Sequence, residues 1–371
     1  MHMKAIVIRP GEHDSDVIEI DEPQLTTSTQ VKLKVLEVGI CGTDREEVLG
    51  GRADAPSHAQ HLVIGHEMLG QTVETGAEVS TVSVGDYAVL TVRRGCGKCE
   101  ACLHNRSDMC YTGNYSERGI KALHGYETEF VVDDEQHVIK VPESAKSVGV
   151  LAEPMSIVQK AIDEANIIQS VRLPLPAHTD TPWVSGKKVL VAGIGAIGLL
   201  AVVALRLRGA EIIGVDIVDE ETKRPRLLKE LGGTYINTNQ TKIEDLDEKL
   251  GQVDMILEAA GVAQLGFELI DVLGINGIYV MTGIPGEGKP VCIPGGETMS
   301  QIVLKNQVIL GSVNASTANF ETGIKDLEKA KNRWGNLIDG IITARINYMD
   351  FSKAIDLRSP DDIKTVISWG Q

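Results

Sequence analysis

The sequence has no stretch of about 18 apolar residues that would span a membrane as a helix. Its first residues, MHMKAIVIRPG, lack the long apolar core of a secretory leader, and KAIVI reads as a strand instead. Positive charge is short: 36 Lys and Arg face 52 Asp and Glu, a formal net charge of −16. That balance argues against nucleic acid or an anionic membrane as a partner and favours plain solubility. Cysteine is scarce, six in 371 residues, too few for a disulfide scaffold. No internal repeat and no low-complexity segment is evident. These absences leave a soluble globular protein with a cytoplasmic location expected.

A chain of 371 residues suggests two domains. Residues 1 to about 155 read as short strands with frequent Gly and Asp turns: KAIVI, VKLKVLEVG, MLGQTVETG, DYAVLTV, ETEFVVD and HVIKV. Helical spacing follows in LAEPMSIVQKAIDEANI, with Pro154 near its start. The polar, proline-bearing stretch 172–186 reads as a surface loop. From Lys187, apolar strands (KKVLVAG, EIIGVD, DMILEAAG, GIYVMTG) alternate with helices (LLAVVALRLRG, PRLLKELGG, GFELIDVLG). Such alternation predicts an α/β unit with a doubly wound parallel sheet. The last 50 or so residues, helix-like NFETGIKDLEKAKNRW and then ITARI and TVISW, are less distinctive.

Gly193, Gly195 and Gly198, with Ala196 and Ile197 between them, fit G-x-G-x-x-G. The pattern is weak alone, but here it separates an apolar strand from an apolar helix, as dinucleotide binding requires. The glycines allow a tight turn, close approach of a pyrophosphate and close helix packing, and the helix N-terminus donates N–H groups. Asp216 ends the next strand, 23 residues after Gly193, where a carboxylate accepts ribose hydroxyls and repels a 2′-phosphate. NAD is therefore expected in preference to NADP. Lys223 and Arg224 follow closely enough to leave dual use open.

Four cysteines, Cys96, Cys99, Cys102 and Cys110, form C-x2-C-x2-C-x7-C. Four thiolates so spaced close a tetrahedron around Zn²⁺ and leave no open position, a structural site. An iron–sulfur cluster is the competing metal. Cys292 stands apart and is expected as a small buried hydrophobe. Cys41, in Gly-Ile-Cys-Gly-Thr-Asp after a strand, lies 25 residues before His66 in Gly-His-Glu. Thiolate and imidazole suit a second, open zinc, whose third ligand must offer nitrogen or oxygen, because no cysteine lies between Cys110 and Cys292. Glu153, in Leu-Ala-Glu-Pro, is well placed for it. Glu67 is an alternative ligand or a group tuning the metal from behind.

In this order, G-I-C-G-T-D, G-H-E, the four-cysteine lobe, A-E-P and G-I-G-A-I-G resemble the zinc-containing medium-chain dehydrogenases over nearly the whole chain. The resemblance implies a GroES-like β-rich catalytic domain over 1–160, completed by about 315–371, and a Rossmann domain over 161–314. It also implies two zinc ions per chain, one catalytic and one structural, and a dimer or tetramer. The segments Cys41-Gly-Thr-Asp-Arg-Glu, Tyr115-Ser-Glu-Arg-Gly-Ile, Leu123-His-Gly and Gly311-Ser-Val-Asn resemble the glucose dehydrogenase branch. That implies sugar hydroxyls near Thr43, Glu117, Glu153 and Asn314, with buried carboxylates and amides selecting a hydroxylated substrate. His124 is expected to pack or hydrogen-bond structurally.

The expected activity is hydride transfer from C1 of glucose or a related aldose to NAD, giving an aldonolactone. A Lewis-acid zinc held by Cys41, His66 and Glu153 lowers the pKa of the substrate hydroxyl, and Thr43 passes the proton outward. Sorbitol, threonine or a secondary alcohol are rival substrates. A non-catalytic nucleotide-binding protein and a zinc hydrolase are rivals of other classes.

Overall fold

A computed structural model describes residues 1–173, 181–286 and 290–370. The central residues of the 172–186 stretch read as a loop lie outside the described residues. The chain divides into two compact units, 1–156 with 314–371, and 157–313. No helix among the described residues is long and apolar enough to cross a membrane.

The first unit is built on a sheet in the order Val138–Val141, Tyr87–Leu90, Glu67–Thr75, Gln30–Gly39, Lys364–Ser368, Ile342–Asn347, with Phe130–Asp134 also paired to Gln30–Gly39. Gln30–Gly39 shows why the sequence folds this way. Its apolar phase runs Val31, Leu33, Val35, then skips to Val38, all fully buried. A bulge between Val35 and Glu37 against Glu67–Thr75 absorbs the extra residue, so both halves face the same core. Ile6, Ile64, Tyr126, Phe351 and Ile367 pack into that core. The indistinct C-terminal residues supply two of its strands. Lys364–Ser368 lies antiparallel to Gln30–Gly39, with Ile367 opposite Val38, and parallel to Ile342–Asn347.

The second unit carries a six-stranded sheet, every pairing parallel, in the order Thr234–Asn237, Glu211–Asp216, Lys188–Ala192, Met255–Glu258, Ile278–Met281, Val308–Gly311. This is the strand order of a dinucleotide-binding sheet, with its switch point beside Lys188–Ala192. The segment GFELIDVLG is shorter as a helix than its apolar spacing predicts. The helix is Ala263–Glu268, and Ile270 to Leu273 continue it only through i to i+3 bonds, as Ile270 N–H to Phe267 O and Leu273 N–H to Ile270 O. Cys292 is exposed, contrary to expectation. It lies between Pro290 and Pro294, outside any strand or helix, so no element carries it inward.

Candidate active site

Cys41 follows the end of the Gln30–Gly39 strand and opens the short helix Gly42–Val48, its N–H donating to Asp44 Oδ2 at 2.6 Å. His66 immediately precedes the neighbouring strand, which Glu67 begins opposite Gly39 in the register. Two glycines make room. A Cβ at Gly39 would lie 2.2 Å from Glu67 Oε2, and Gly65, at φ +87°, has Glu127 Cγ where its Cβ would be, at 2.7 Å. The ligand atoms of Cys41, His66 and Glu67 consequently all lie within 4.8 Å of one another. With zinc ligands about 2.0–2.3 Å from the ion, tetrahedral donors stand about 3.3–3.8 Å apart, so this cluster fits the metal. Thr43 Oγ1 is 3.9 Å from Cys41 Sγ.

Behind the cluster, Asp44 Oδ1 is 3.5 Å from His66 Nδ1, and both atoms are buried without a hydrogen bond. A carboxylate on one ring nitrogen aims the other at the metal position. Burial opposes the His66 imidazolium, but Asp44 and Cys41 outweigh it and hold its pKa well above the ordinary value. Burial, followed by Asp44, pushes the Glu47 carboxyl up to about 9, so it stays protonated at neutral pH.

Glu153 does not belong to the compact group, although the charges of His66, Glu67, Lys364 and Asp44 all act on it. Burial is the largest cause that raises its pKa, to about 7, and among the described residues no donor reaches its carboxyl oxygens. Glu67 is held by Lys364, a residue not foreseen from the sequence. The Lys364 ammonium lies 2.7 Å from Glu67 Oε1 and 2.5 Å from Oε2, and donates to Ile40 O at 3.0 Å. Burial works against that charge, yet Glu67, Cys41 and Asp44 outweigh it and raise the lysine pKa. The signal was present: one lysine inside the apolar strand Ile363-Lys-Thr-Val-Ile needs a buried anion.

Glu117 and Asn314, 197 residues apart, meet: Asn314 Nδ2 donates to Glu117 Oε1 at 2.8 Å. Asn314 does so at φ +62°, a left-handed conformation that asparagine tolerates. Arg93, also not foreseen, donates to the same oxygen from Nε at 3.0 Å.

The four cysteines close on one another, their sulfurs all within 4.8 Å. Gly97, at φ +67°, turns the chain back so that the Lys98 and Cys99 amides donate to Cys96 Sγ at 3.5 and 3.3 Å. The Thr112 hydroxyl, then those amides, lower the Cys96 thiol to about 6, the state a metal requires.

In the second unit, Gly193 takes φ +81° at the end of Lys188–Ala192, and Ala196 begins the helix Ala196–Leu207 with Gly195 as its cap. A Cβ at Gly198 would lie 1.9 Å from Gly193 O, so only glycine lets that helix close on the turn. Ile197 belongs to its first turn. Asp216 accepts from Ile194 N–H at 3.0 Å through Oδ2 and from Ile217 N–H at 2.7 Å through Oδ1. The strand-end carboxylate thus braces the glycine turn.

His124 has the structural role expected. It accepts from Val63 N–H at Nδ1, 3.1 Å, and stacks on His61 with ring centroids 5.4 Å apart.

The family described as Alcohol dehydrogenase GroES-like domain matches residues 27–143, and that described as Glucose dehydrogenase C-terminus matches 146–369. A glucose 1-dehydrogenase of Methanocella arvoryzae is 36% identical over 99% of this chain and all of its own length. Glucose 1-dehydrogenase 2 of Vulcanisaeta moutnovskia is 36% identical over 98% of this chain and 99% of its own. Among solved structures, Haloferax mediterranei glucose dehydrogenase in complex with NADP, Zn and gluconolactone aligns over the whole of both chains, with a TM-score of 0.88 and 30% identity. A 2R,3R-butanediol dehydrogenase from Bacillus subtilis aligns over 99% of both chains with a TM-score of 0.78 and 25% identity. Two family matches end to end, and full-length likeness to several glucose dehydrogenases, identify the chain as a member of the zinc-containing medium-chain dehydrogenases, in their glucose dehydrogenase branch.

Proposed function

We propose that the chain oxidises C1 of glucose or a related aldose to the aldonolactone, with NAD as the preferred acceptor and zinc at the Cys41–His66 site. The observation that carries this reading is the Cys41, His66 and Glu67 cluster, with donor atoms within 4.8 Å, in the unit that also holds the Glu117–Asn314 pair. The gluconolactone in the Haloferax mediterranei structure is the product of such an oxidation.

Zinc bound there supplies Lewis acidity, lowering the pKa of the substrate hydroxyl. Bound nicotinamide supplies the acceptor for the hydride that leaves C1. Charge balance favours Cys41, His66 and Glu153 as the ligands. One thiolate and one carboxylate neutralise Zn²⁺, while Glu67 is already neutralised by Lys364. Glu67, held by Lys364, would stand as the alternative carboxylate ligand or as a group tuning the metal from behind. Asp44 holds the His66 ring, Thr43 Oγ1 takes the C1 hydroxyl proton and passes it outward, and Glu117 accepts a sugar hydroxyl. The four-cysteine lobe is the structural zinc site, and Lys98 and Cys99 hold its first thiolate. A reducing cytoplasm suits those free thiols.

For the cofactor, Asp216 is followed by Asp219, Glu220 and Glu221, and the charges of Asp216, Glu220 and Asp219 raise the Tyr235 pKa after burial does. Glu220 and Glu221 are paired with Lys229 and Arg226, so repulsion of a 2′-phosphate rests on Asp216 and Asp219, and on that ground NAD is favoured over the NADP of the Haloferax mediterranei structure. The open edge strand Val308–Gly311, with exposed Ile275, Met299, Val303 and Leu304 in the same unit, supports a homo-oligomer formed through that edge.

The test is purified chain with NAD or NADP and a panel of aldoses and polyols. We expect aldose oxidation with NAD above NADP, abolished by Cys41→Ala while NAD binding by fluorescence titration persists. Oxidation of butanediol or sorbitol in preference to every aldose would overturn the sugar assignment, and full activity of the variant would overturn the zinc site.

A further inference from the structure

Arg93 makes more of Glu117 than a lone buried acid. Its Nε and one terminal nitrogen each lie 3.0 Å from Glu117 Oε1, the atom that also receives Asn314 Nδ2 at 2.8 Å. Two hydrogen bonds and a second guanidinium nitrogen at ion-pair distance therefore converge on a single carboxylate oxygen. Oε2 accepts no hydrogen bond among the described residues. Arg93 itself is fixed from two further directions. Nη1 donates to the Asp108 carbonyl at 2.7 Å, in the segment between Cys102 and Cys110, and its guanidinium carbon lies 4.1 Å from the centroid of the Tyr115 ring. Both side chains of the pair are about nine-tenths buried.

We infer that Arg93 is a positioning residue for sugar binding: it pins Glu117 by Oε1 so that Oε2 is presented to a substrate hydroxyl. The inference rests on the aldose reading above. A charge-assisted fork orders the acceptor before the sugar arrives, so the rotamer entropy of Glu117 is lost in folding rather than in binding. Because Nη1 ends on the Asp108 carbonyl, the register of the cysteine lobe also sets where Oε2 points. Lysine cannot replace this device. A single ammonium does not span Glu117 Oε1 and the Asp108 carbonyl with the planar fork that Arg93 uses.

A hydroxyl contact of this kind acts on ground state and transition state alike, so its loss raises KM and spares kcat. The experiment is a double-mutant cycle on the full chain, Arg93→Gln and Glu117→Gln singly and together, measuring sugar KM, kcat and NAD KM. Arg93→Gln should raise sugar KM about tenfold or more, with kcat and NAD KM within about twofold. In the Glu117→Gln background the same change should add less than about twofold, because the group it positions is gone. Arg93→Lys should raise sugar KM as well, and it carries the cycle if Arg93→Gln does not fold. Equal effects of Arg93→Gln in both backgrounds, a fall in kcat with KM unchanged, or wild-type KM in Arg93→Lys would each overturn the role of Arg93 while leaving the sugar reading intact. A wild-type chain that oxidises no sugar would overturn both.

Discussion

Lys364 and Glu67 form a buried pair whose partners are 297 residues apart in sequence. Each side chain is about 95% or more removed from solvent, so neither charge has water to fall back on. Lys364→Met leaves the Glu67 carboxylate uncompensated, which costs about 3–5 kcal/mol for a buried pair broken from one side. The double variant Lys364→Met with Glu67→Gln should recover about half of that loss or more, because no charge then stays stranded. Urea midpoints of the three chains measure it, and a double variant as unstable as the single would refute the pairing. The sequence was legible here only in part. Cys41, His66 and the four-cysteine lobe announce themselves through ligand type and spacing. Lys364 signals only that a buried anion is needed, and that anion lies 297 residues away; Arg93, 24 residues from Glu117, belongs to no ligand pattern that would single it out.

At the scale of elements, the segments 58–63 and 119–126 are clasped through His124. Its neutral ring accepts the Val63 amide, stacks on His61 and stands 6.4 Å from His58, with Arg118 donating to its carbonyl. Burial first, then His61, His58 and Arg118, depress its pKa to about 4, below the usual histidine value of about 6.5. The folded state thus binds fewer protons than the unfolded chain between those values. Its contribution is complete above about pH 6.5 and is lost as pH falls toward about 4. Protonation also puts a hydrogen on Nδ1, facing the Val63 N–H. The melting temperature of His124→Asn should therefore depend less on pH across that window than that of the wild type, and parallel curves would refute the clasp. Whole elements were the most legible level where one period ran unbroken, as in the strand and helix around Gly193. The strand Val308–Gly311 escaped because its apolar run is only three residues, Val308 to Leu310, between Gln307 and Gly311 at a half-exposed sheet edge.

For the molecule as a whole, the exposed edge of the parallel sheet is the feature that single-chain stability does not explain. Met299 and Val303 lie one helical turn apart on Gly295–Leu304, both exposed, and Ile309 lies on the edge strand itself. If copies pair there, a charge at the edge should separate them. Ile309→Lys with Val303→Glu is expected to shift the mass measured by light scattering from oligomer to single chain, with NAD binding retained. An unchanged mass would move the interface elsewhere. The division into a strand-rich half and an α/β half was foreseeable from the change of pattern near residue 150, whereas the GroES-like character of the first and the return of the chain after residue 313 were expected from family resemblance, since the returning strands are too ordinary to declare their sheet.

The placement of Lys364–Ser368 inside the first unit's sheet also bears on how the protein is made. Residues 157–313 are contiguous and can fold as soon as they leave the ribosome. The segment that begins first must wait. Until Lys364 emerges, Gln30–Gly39 lacks one neighbour and Glu67 lacks its cation, so the metal-binding half is translated early and completed last. Because that closure spans most of the chain, the half built first is expected to be the slower of the two to complete its sheet.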